Sequence, residues 1–184
     1  MGTYTSLRGV VKVKKEYYEF ARNIVENGWG NNLDQMKKDY PFIVKHLKTQ
    51  RGNSIPNDDK LQDPFEEEQA YFKKKFKDGK FYFSADLKNY RDKLTNVKPI
   101  ESFIQHILEN ISEDILLLET NCEDHSDVLQ YDFSDEVINQ IGIQNYTNEG
   151  NEMINFFEEN SSTRKENDIF KEYKEKNGLY VFTN

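Results

Sequence analysis

Apolar and polar positions along the chain follow two different periods, and each period predicts a different element. Residues 4–14 place Leu7, Val11 and Val13 on one parity and Arg8 and Lys12 on the other, which is typical of a strand. Residues 81–87 are also expected to form a strand. The apolar run 115–118 is typical of a central strand buried on both faces. Residues 128–133 are expected to pair with it as a hairpin across a turn at 122–127, and residues 179–182 to close the sheet as an edge strand.

Helical periodicity is clearest at residues 99–111, where six apolar side chains form a continuous face. A second apolar stripe predicts a helix from about residue 15 to the Asn27-Gly28 stop, and a short helix is expected at 41–48. The tail is expected to be helical at 149–159 and 165–176. Residues 64–80 fit two interpretations, and we favour a helix to about Lys74 followed by a turn at Asp78-Gly79.

This order of elements predicts an α+β fold, with a small mixed or antiparallel sheet and helices packed on one face, as a variation on the ferredoxin-like arrangement. The 184 residues fit a single domain, 1–184. Within it we expect an α+β core at 1–133 and an acidic, mainly helical C-terminal extension at 134–184.

Charge is distributed very unevenly along the chain. The net charge is -8, but residues 1–100 hold 20 Lys and Arg against 14 Asp and Glu, a net charge of +6, whereas residues 101–184 hold 5 against 19, a net charge of -14. Residues 101–163 contain no Lys or Arg and 15 carboxylates. This asymmetry favours an acidic face that attracts a basic partner, beside the simpler interpretation of a solvated acidic surface.

The candidate partner-binding residues are the carboxylates of this cation-free stretch. They are Glu119, Glu123, Asp124, Asp127, Glu158 and Glu159. The partner implied is a host or cognate protein with a basic surface. Direct binding of nucleic acid is disfavoured because phosphate contacts require clustered cations and the net charge has the wrong sign.

Trp29 is the only tryptophan, and it lies between two glycines in an Asn-rich loop. Such a residue either closes one end of the core or anchors a partner, since tryptophan is enriched in binding hot spots.

No active-site motif is recognisable in the sequence. Cys122, Glu123, Asp124 and His125 form the densest polar cluster, but they fall in a predicted hairpin turn, where neither nucleophilic catalysis nor a metal is easily supported. We therefore predict no catalytic residue, no metal site and no cofactor. His46 is expected to be a surface or helix-capping group.

A single cysteine and the lack of any apolar run of membrane-spanning length favour a cytoplasmic protein that does not enter a membrane. The exposed aromatic side chains that we expect are compatible with a homodimer.

Two segments resemble small uncharacterised proteins encoded by bacteriophages and prophages of AT-rich bacteria. The segments are Tyr4–Lys12 with Trp29 beyond it, and Phe81–Tyr90. The resemblance spans about the first two thirds of the chain and assigns no residue roles. It implies an accessory role in the host cytoplasm, such as inhibiting host defence.

These observations leave three hypotheses. The first is a non-catalytic interaction or inhibitor protein that binds a host protein, of defence or of nucleic-acid handling, through an acidic face. The second is a module that sequesters a nucleotide signal, with basic residues of the first half contacting phosphate. The third is an immunity protein that neutralises a toxin.

Overall fold

The computed structural model describes residues 3–62, 65–124, 127–135 and 137–145. Its centre is a six-stranded antiparallel sheet in the order β2-β3-β1-β4-β5-β6. The strands are β1 (Tyr4–Val13), β2 (Lys75–Lys77), β3 (Lys80–Lys88), β4 (Ser112–Cys122), β5 (Asp127–Ser134) and β6 (Val137–Asn145).

Helices connect β1 to the β2–β3 hairpin and β3 to β4. The first connection holds a 3-10 turn (Lys15–Tyr17), α1 (Tyr18–Asn27), α2 (Leu33–Asp39), α3 (Ile43–Lys48) and further 3-10 segments at Gly52–Ser54 and Glu66–Phe72. The second is one helical stretch, composed of α4 (Pro99–Phe103), a π-helical segment (Ile104–Leu108) and α5 (Glu109–Ile111).

The predicted α+β class, an antiparallel sheet with helices packed against it, is confirmed. β1 pairs antiparallel with both β3 and β4, so β3 and β4 run parallel to each other with β1 between them. The stretch 99–111 that joins them completes a split β-α-β unit, the kind of connection that ferredoxin-like folds use.

The main core lies between the sheet and the helices. Leu7 and Val11 of β1 and Phe83 of β3 face this side, where they meet apolar side chains of α1, α3 and the 99–111 stretch. The opposite face of the sheet is covered in its middle by the segment around Glu66–Phe72, because Phe65 and Phe72 pack over the Arg8 side chain there.

Three sequence-based expectations need correction. The core does not end at residue 133, because β6 adds a sixth strand through Asn145 by pairing with β5. Residues 33–39 form a helix, whereas the sequence predicted no element there. Residues 66–72 are 3-10 rather than α-helical, although the expected turn at Asp78-Gly79 is present and joins β2 to β3. The predicted tail elements at 149–159, 165–176 and 179–182 lie outside the described residues.

Candidate functional site

The predicted acidic face does not include Glu119. Its side chain is 1% exposed and accepts hydrogen bonds from Arg8 Nε at 2.8 Å and from Gln130 Nε2 at 3.1 Å. Arg8 is itself fully buried and also pairs with Glu68. Arg8 and Glu119 face each other across the β1–β4 ladder, and this register places the carboxylate beside a guanidinium instead of in solvent. The prediction that Glu119 contacts a partner is therefore wrong.

Glu123 and Asp124 are exposed, in the turn after β4. A Glu123 carboxylate oxygen accepts a hydrogen bond from the backbone N–H of Tyr4 at 2.8 Å, and Asp124 accepts one from the Thr3 hydroxyl at 2.6 Å. Both carboxylates thus hold the start of β1. The side chain of Asp127, together with His125, Glu158 and Glu159, lies outside the described residues, so binding of a basic partner by this acidic surface stays a prediction.

Trp29 closes the core and cannot anchor a partner. Its side chain is only 6% exposed, and its indole N–H donates to the backbone carbonyl of Ile55 at 2.8 Å. Its ring packs edge-on against Phe20. A tryptophan buried and hydrogen-bonded in this way has no surface left to contact another protein.

His46 was expected to be a surface or helix-capping group but is fully buried between Trp29 and Phe103. Its Nε2 lies 2.8 Å from the carbonyl oxygen of Gly52, and its Nδ1 lies 3.1 Å from the Ser102 hydroxyl. Burial lowers the pKa of the imidazole to about 4, so the ring is neutral at physiological pH. This arrangement joins α3 to α4 and serves the core.

Among the described residues, a cleft of about 760 Å³ is large enough to bind a ligand. It lies on the helix-bearing face of the sheet, where the chain leaves β3 and begins the 99–111 helical stretch. Ligand pockets commonly have volumes of about 300–1,000 Å³. The cleft is lined by Thr3, Thr5, Asn89, Tyr90, Arg91, Lys98, Ile100, Glu101, Thr120, Cys122, Leu129, Tyr131 and Gln140.

The strand register explains how the cleft floor forms. Thr5 pairs with Cys122, and Leu129 pairs with Thr120, so these side chains share the face that also carries Leu7. Polar and small side chains at these positions leave a depression at the end of the sheet, where larger apolar residues fill the core farther along the same strands.

Two cations and one carboxylate line the rim of the cleft. Arg91 Nη1 lies 3.9 Å from a Glu101 oxygen, and Lys98 Nζ lies 3.7 Å from the other. All three side chains are between 39% and 56% exposed, and ion pairs this long and this exposed contribute little. The three charged residues of the lining have a net charge of +1, and the exposed Asp124 carboxylate lies beside them on the Thr3 hydroxyl.

Aromatic and hydroxyl groups complete the lining. Tyr90 stands at the rim, where the Arg51 guanidinium stacks on its ring at 4.0 Å. Tyr131 lies deeper, and its hydroxyl is 3.4 Å from that of Thr120. Burial raises the pKa of the Tyr131 phenol, so the hydroxyl stays protonated at neutral pH and can donate a hydrogen bond.

The loop that carries Tyr90 and Arg91 is rigidly built. Asp92 is buried at its base, and its carboxylate accepts hydrogen bonds from the backbone N–H groups of Gln50, Leu94 and Thr95. The Asn89 side-chain oxygen accepts one from the N–H of Ile100 at 3.1 Å. The loop thereby has a fixed position before any ligand arrives, which reduces the entropy that binding must overcome.

Of the residues that line the cleft, only Cys122 was considered for a chemical role from the sequence. The role considered was nucleophilic catalysis or metal binding, not the binding of a ligand in a cleft. The cleft draws on β1, β4, β5, β6 and the loop after β3, and no spacing in the sequence brings these together. The sequence contained one indication of this cleft. Arg91 and Lys98 belong to the basic first hundred residues, where contacts to phosphate were expected.

Comparisons with known proteins identify no relative: no protein-family model, no curated protein and no solved structure matches this chain. In the part of the chain that the structure describes, no group of three His, Cys, Asp or Glu side chains is arranged to hold a metal ion. Over the same residues, every helix is too short or too polar to cross a membrane.

Proposed function

We propose that this protein binds a small anionic ligand that carries an aromatic ring, of the nucleotide class, in the cleft between the β3–α4 loop and the end of the sheet. The observation that carries the proposal is the pair of accessible cations, Arg91 and Lys98, on the rim of a cleft that also presents two tyrosines.

The two cations, Arg91 and Lys98, would bind the phosphate of the ligand. Arginine forms bidentate hydrogen bonds with phosphate oxygens, and lysine acts as a compact point charge. Glu101 holds both side chains loosely, while Arg91 Nη1 also donates to the Asn96 carbonyl at 2.8 Å. An arriving phosphate can exchange the two long ion pairs for charge-assisted hydrogen bonds to Lys98 and to the other guanidinium N–H groups of Arg91. Glu101 remains as an acceptor for a ligand N–H or hydroxyl.

The aromatic and neutral polar groups of the cleft would bind the base and the sugar of the ligand. A base can stack on an aromatic face such as that of Tyr90 or Tyr131, and base–aromatic stacking contributes about 1–3 kcal/mol. The hydroxyls of Thr5 and Thr120 can donate and accept hydrogen bonds, and that of Thr3, which donates to Asp124, can accept one, as the edges of a nucleoside require.

Binding without chemistry would make the protein a module that sequesters a nucleotide signal. The resemblance to small phage-encoded proteins supports such a role in the cytoplasm of a host cell, where removal of a signal would weaken a defence response. The two other hypotheses, inhibition of a basic host protein and neutralisation of a toxin, require an acidic surface from which Glu119 is now removed.

Calorimetric titration and thermal melting against a panel of cyclic and linear nucleotides test this proposal. A nucleotide at a hundred times its Kd should stabilise the fold by about 2.7 kcal/mol. We expect Arg91→Gln and Lys98→Gln each to weaken binding about tenfold, which corresponds to about 1.4 kcal/mol. Glu101→Gln should strengthen binding, because it removes the carboxylate that pairs with both cations.

Lys93→Gln is the matched control, because Lys93 lies on the same loop, is exposed and does not line the cleft. Two results would contradict the proposal. One is that no nucleotide of the panel shifts the melting temperature. The other is that Lys93→Gln weakens binding as much as Arg91→Gln does.

A further inference from the structure

The two edges of the sheet are built in different ways. β2 is three residues long and carries Lys75 and Lys77, and short edge strands with lysines are a common protection against pairing with another chain. β6, at the other end of the sheet order, is nine residues long. Within the described residues β6 pairs with β5 on one side only.

β6 also differs in composition from the rest of the sheet. Its sequence VINQIGIQN contains no Asp, Glu, Lys, Arg or Pro, whereas each of the other five described strands contains at least one charged residue. A long edge strand without charge or proline lacks two of the features that commonly prevent strand addition, although a bulge at Ile141 interrupts its pairing with β5. Val137, at its start, is 46% exposed.

We infer that β6 is the dimerisation edge of this protein, and that a second copy of the chain pairs with it antiparallel across a twofold axis. The net charge of -8 makes two copies repel each other, so self-association requires a surface without charge. β6 supplies such a surface along a whole strand.

A second copy suits this edge better than a charged partner does. Asn139 and Gln140 are exposed on this strand, and a carboxamide both donates and accepts hydrogen bonds, so like residues are complementary to each other. Antiparallel pairing of identical strands is closed and isologous, so it stops at the dimer. The twelve strands would form one sheet, with the helices and the cleft of both copies on the same face.

Light scattering or sedimentation of the full chain at micromolar to hundred-micromolar concentration tests the inference. The expected mass is twice 21.9 kDa. Asn139→Lys places a charge on the exposed edge without touching the cleft lining, and it should yield a folded monomer. Asn31→Lys is the matched control, since it makes the same change at an exposed residue before α2 and should leave the dimer intact.

Amide hydrogen exchange gives a second measurement, which does not depend on any variant folding. Exchange at residues 137–145 should slow as the concentration rises through the dimerisation range, while the loop around Leu94 is unaffected. A monomeric full chain overturns the inference, because β6 is then covered by its own chain or left free. A dimer that survives in Asn139→Lys also overturns it, since the contact must then lie elsewhere.

Discussion

At the residue scale, the buried Arg8 guanidinium shows how one side chain can decide the arrangement of a sheet face. It pairs with Glu119 and Glu68, and the rings of Phe65 and Phe72 stack over it at 4.1 and 5.0 Å. A buried charge that loses its partners costs far more than an exposed one, because water cannot replace them.

We therefore expect Arg8→Met to destabilise the fold by about 3–5 kcal/mol, because it leaves two carboxylates buried together. Lys12→Met is the matched control on the same strand, β1. It removes the ion pair between Lys12 and Glu113, whose side chains are 41% and 53% exposed, and it should lower the free energy of unfolding by less than about 1 kcal/mol. Urea unfolding measures both variants. Equal losses of unfolding free energy in the two variants would contradict the buried ion pairs of Arg8 with Glu119 and Glu68.

His46 predicts how stability depends on pH. Its pKa is about 4 in the folded protein, and an unfolded histidine titrates near 6.5, so the unfolded chain binds the extra proton between these values. Stability contributed by neutral His46 is therefore complete above about pH 6.5 and is lost as the pH falls toward 4, by about 3 kcal/mol in all.

The measurement is urea unfolding at several pH values, for the natural protein and for His46→Gln, which cannot titrate. We expect the difference between the two in free energy of unfolding to shrink steadily as the pH falls from 6.5 to 4. A difference that stays constant over this range would mean that the imidazole is not buried as a neutral group.

At the element scale, the hairpin between β2 and β3 shows how local sequence determines a turn. Asp78 and Gly79 both have positive φ, 52° and 74°, as the two central residues of a tight hairpin turn require. The hydroxyl of Tyr18 lies 2.5 Å from the point that a Cβ on Gly79 would occupy, so α1 also packs closely on this turn.

Gly79→Ala should destabilise the fold by about 1–2 kcal/mol, because alanine is strained at this φ and its methyl group would displace Tyr18. Gly30→Ala is the control: its backbone is not left-handed and no atom lies within 4 Å of the added methyl, so we expect a change of less than about 1 kcal/mol, if anything stabilising. Thermal melting compares the two. A loss at Gly30 as large as that at Gly79 would contradict the described turn.

The elements that the sequence predicted correctly are those with strong local signals. Helical periodicity at 99–111 and the Asp78-Gly79 turn depend on nearby residues alone, and both are present. α2 was missed because Met36 is its only buried residue, so there is no apolar stripe to detect. β6 was missed because its side chains alternate too weakly to outweigh the helical interpretation of the acidic tail.

The candidate site was missed for a different reason. Thr5 and Cys122 are register partners, but they are far apart in the chain, and only the β1–β4 pairing brings them together. Burial of Glu119 was likewise missed, because its ion pair with Arg8 depends on the β1–β4 register, although Glu119 directly follows the apolar run 115–118. A single sequence reports charge and periodicity, not which strand lies beside which.

At the scale of the whole molecule, the sheet keeps the two halves of the charge distribution side by side, because β2, β3 and β1 come from the basic half and β4, β5 and β6 from the acidic half. β1 lies between β3 and β4, so basic residues of the first half meet acidic residues of the second, as Lys12 meets Glu113. The two halves meet only at this β1–β4 boundary, so within the described strands the asymmetry of the sequence persists in space.

Protection of Cys122 from alkylation is the most direct measurement of whether the cleft binds a nucleotide. Cys122 is the only cysteine, is half-buried and lines the cleft, so a thiol reagent reports on this site alone. The account predicts that a nucleotide found to bind by calorimetry slows the alkylation of Cys122, and that Arg91→Gln and Lys98→Gln raise the concentration required. An alkylation rate that is unchanged with the nucleotide bound would place binding elsewhere and contradict the account.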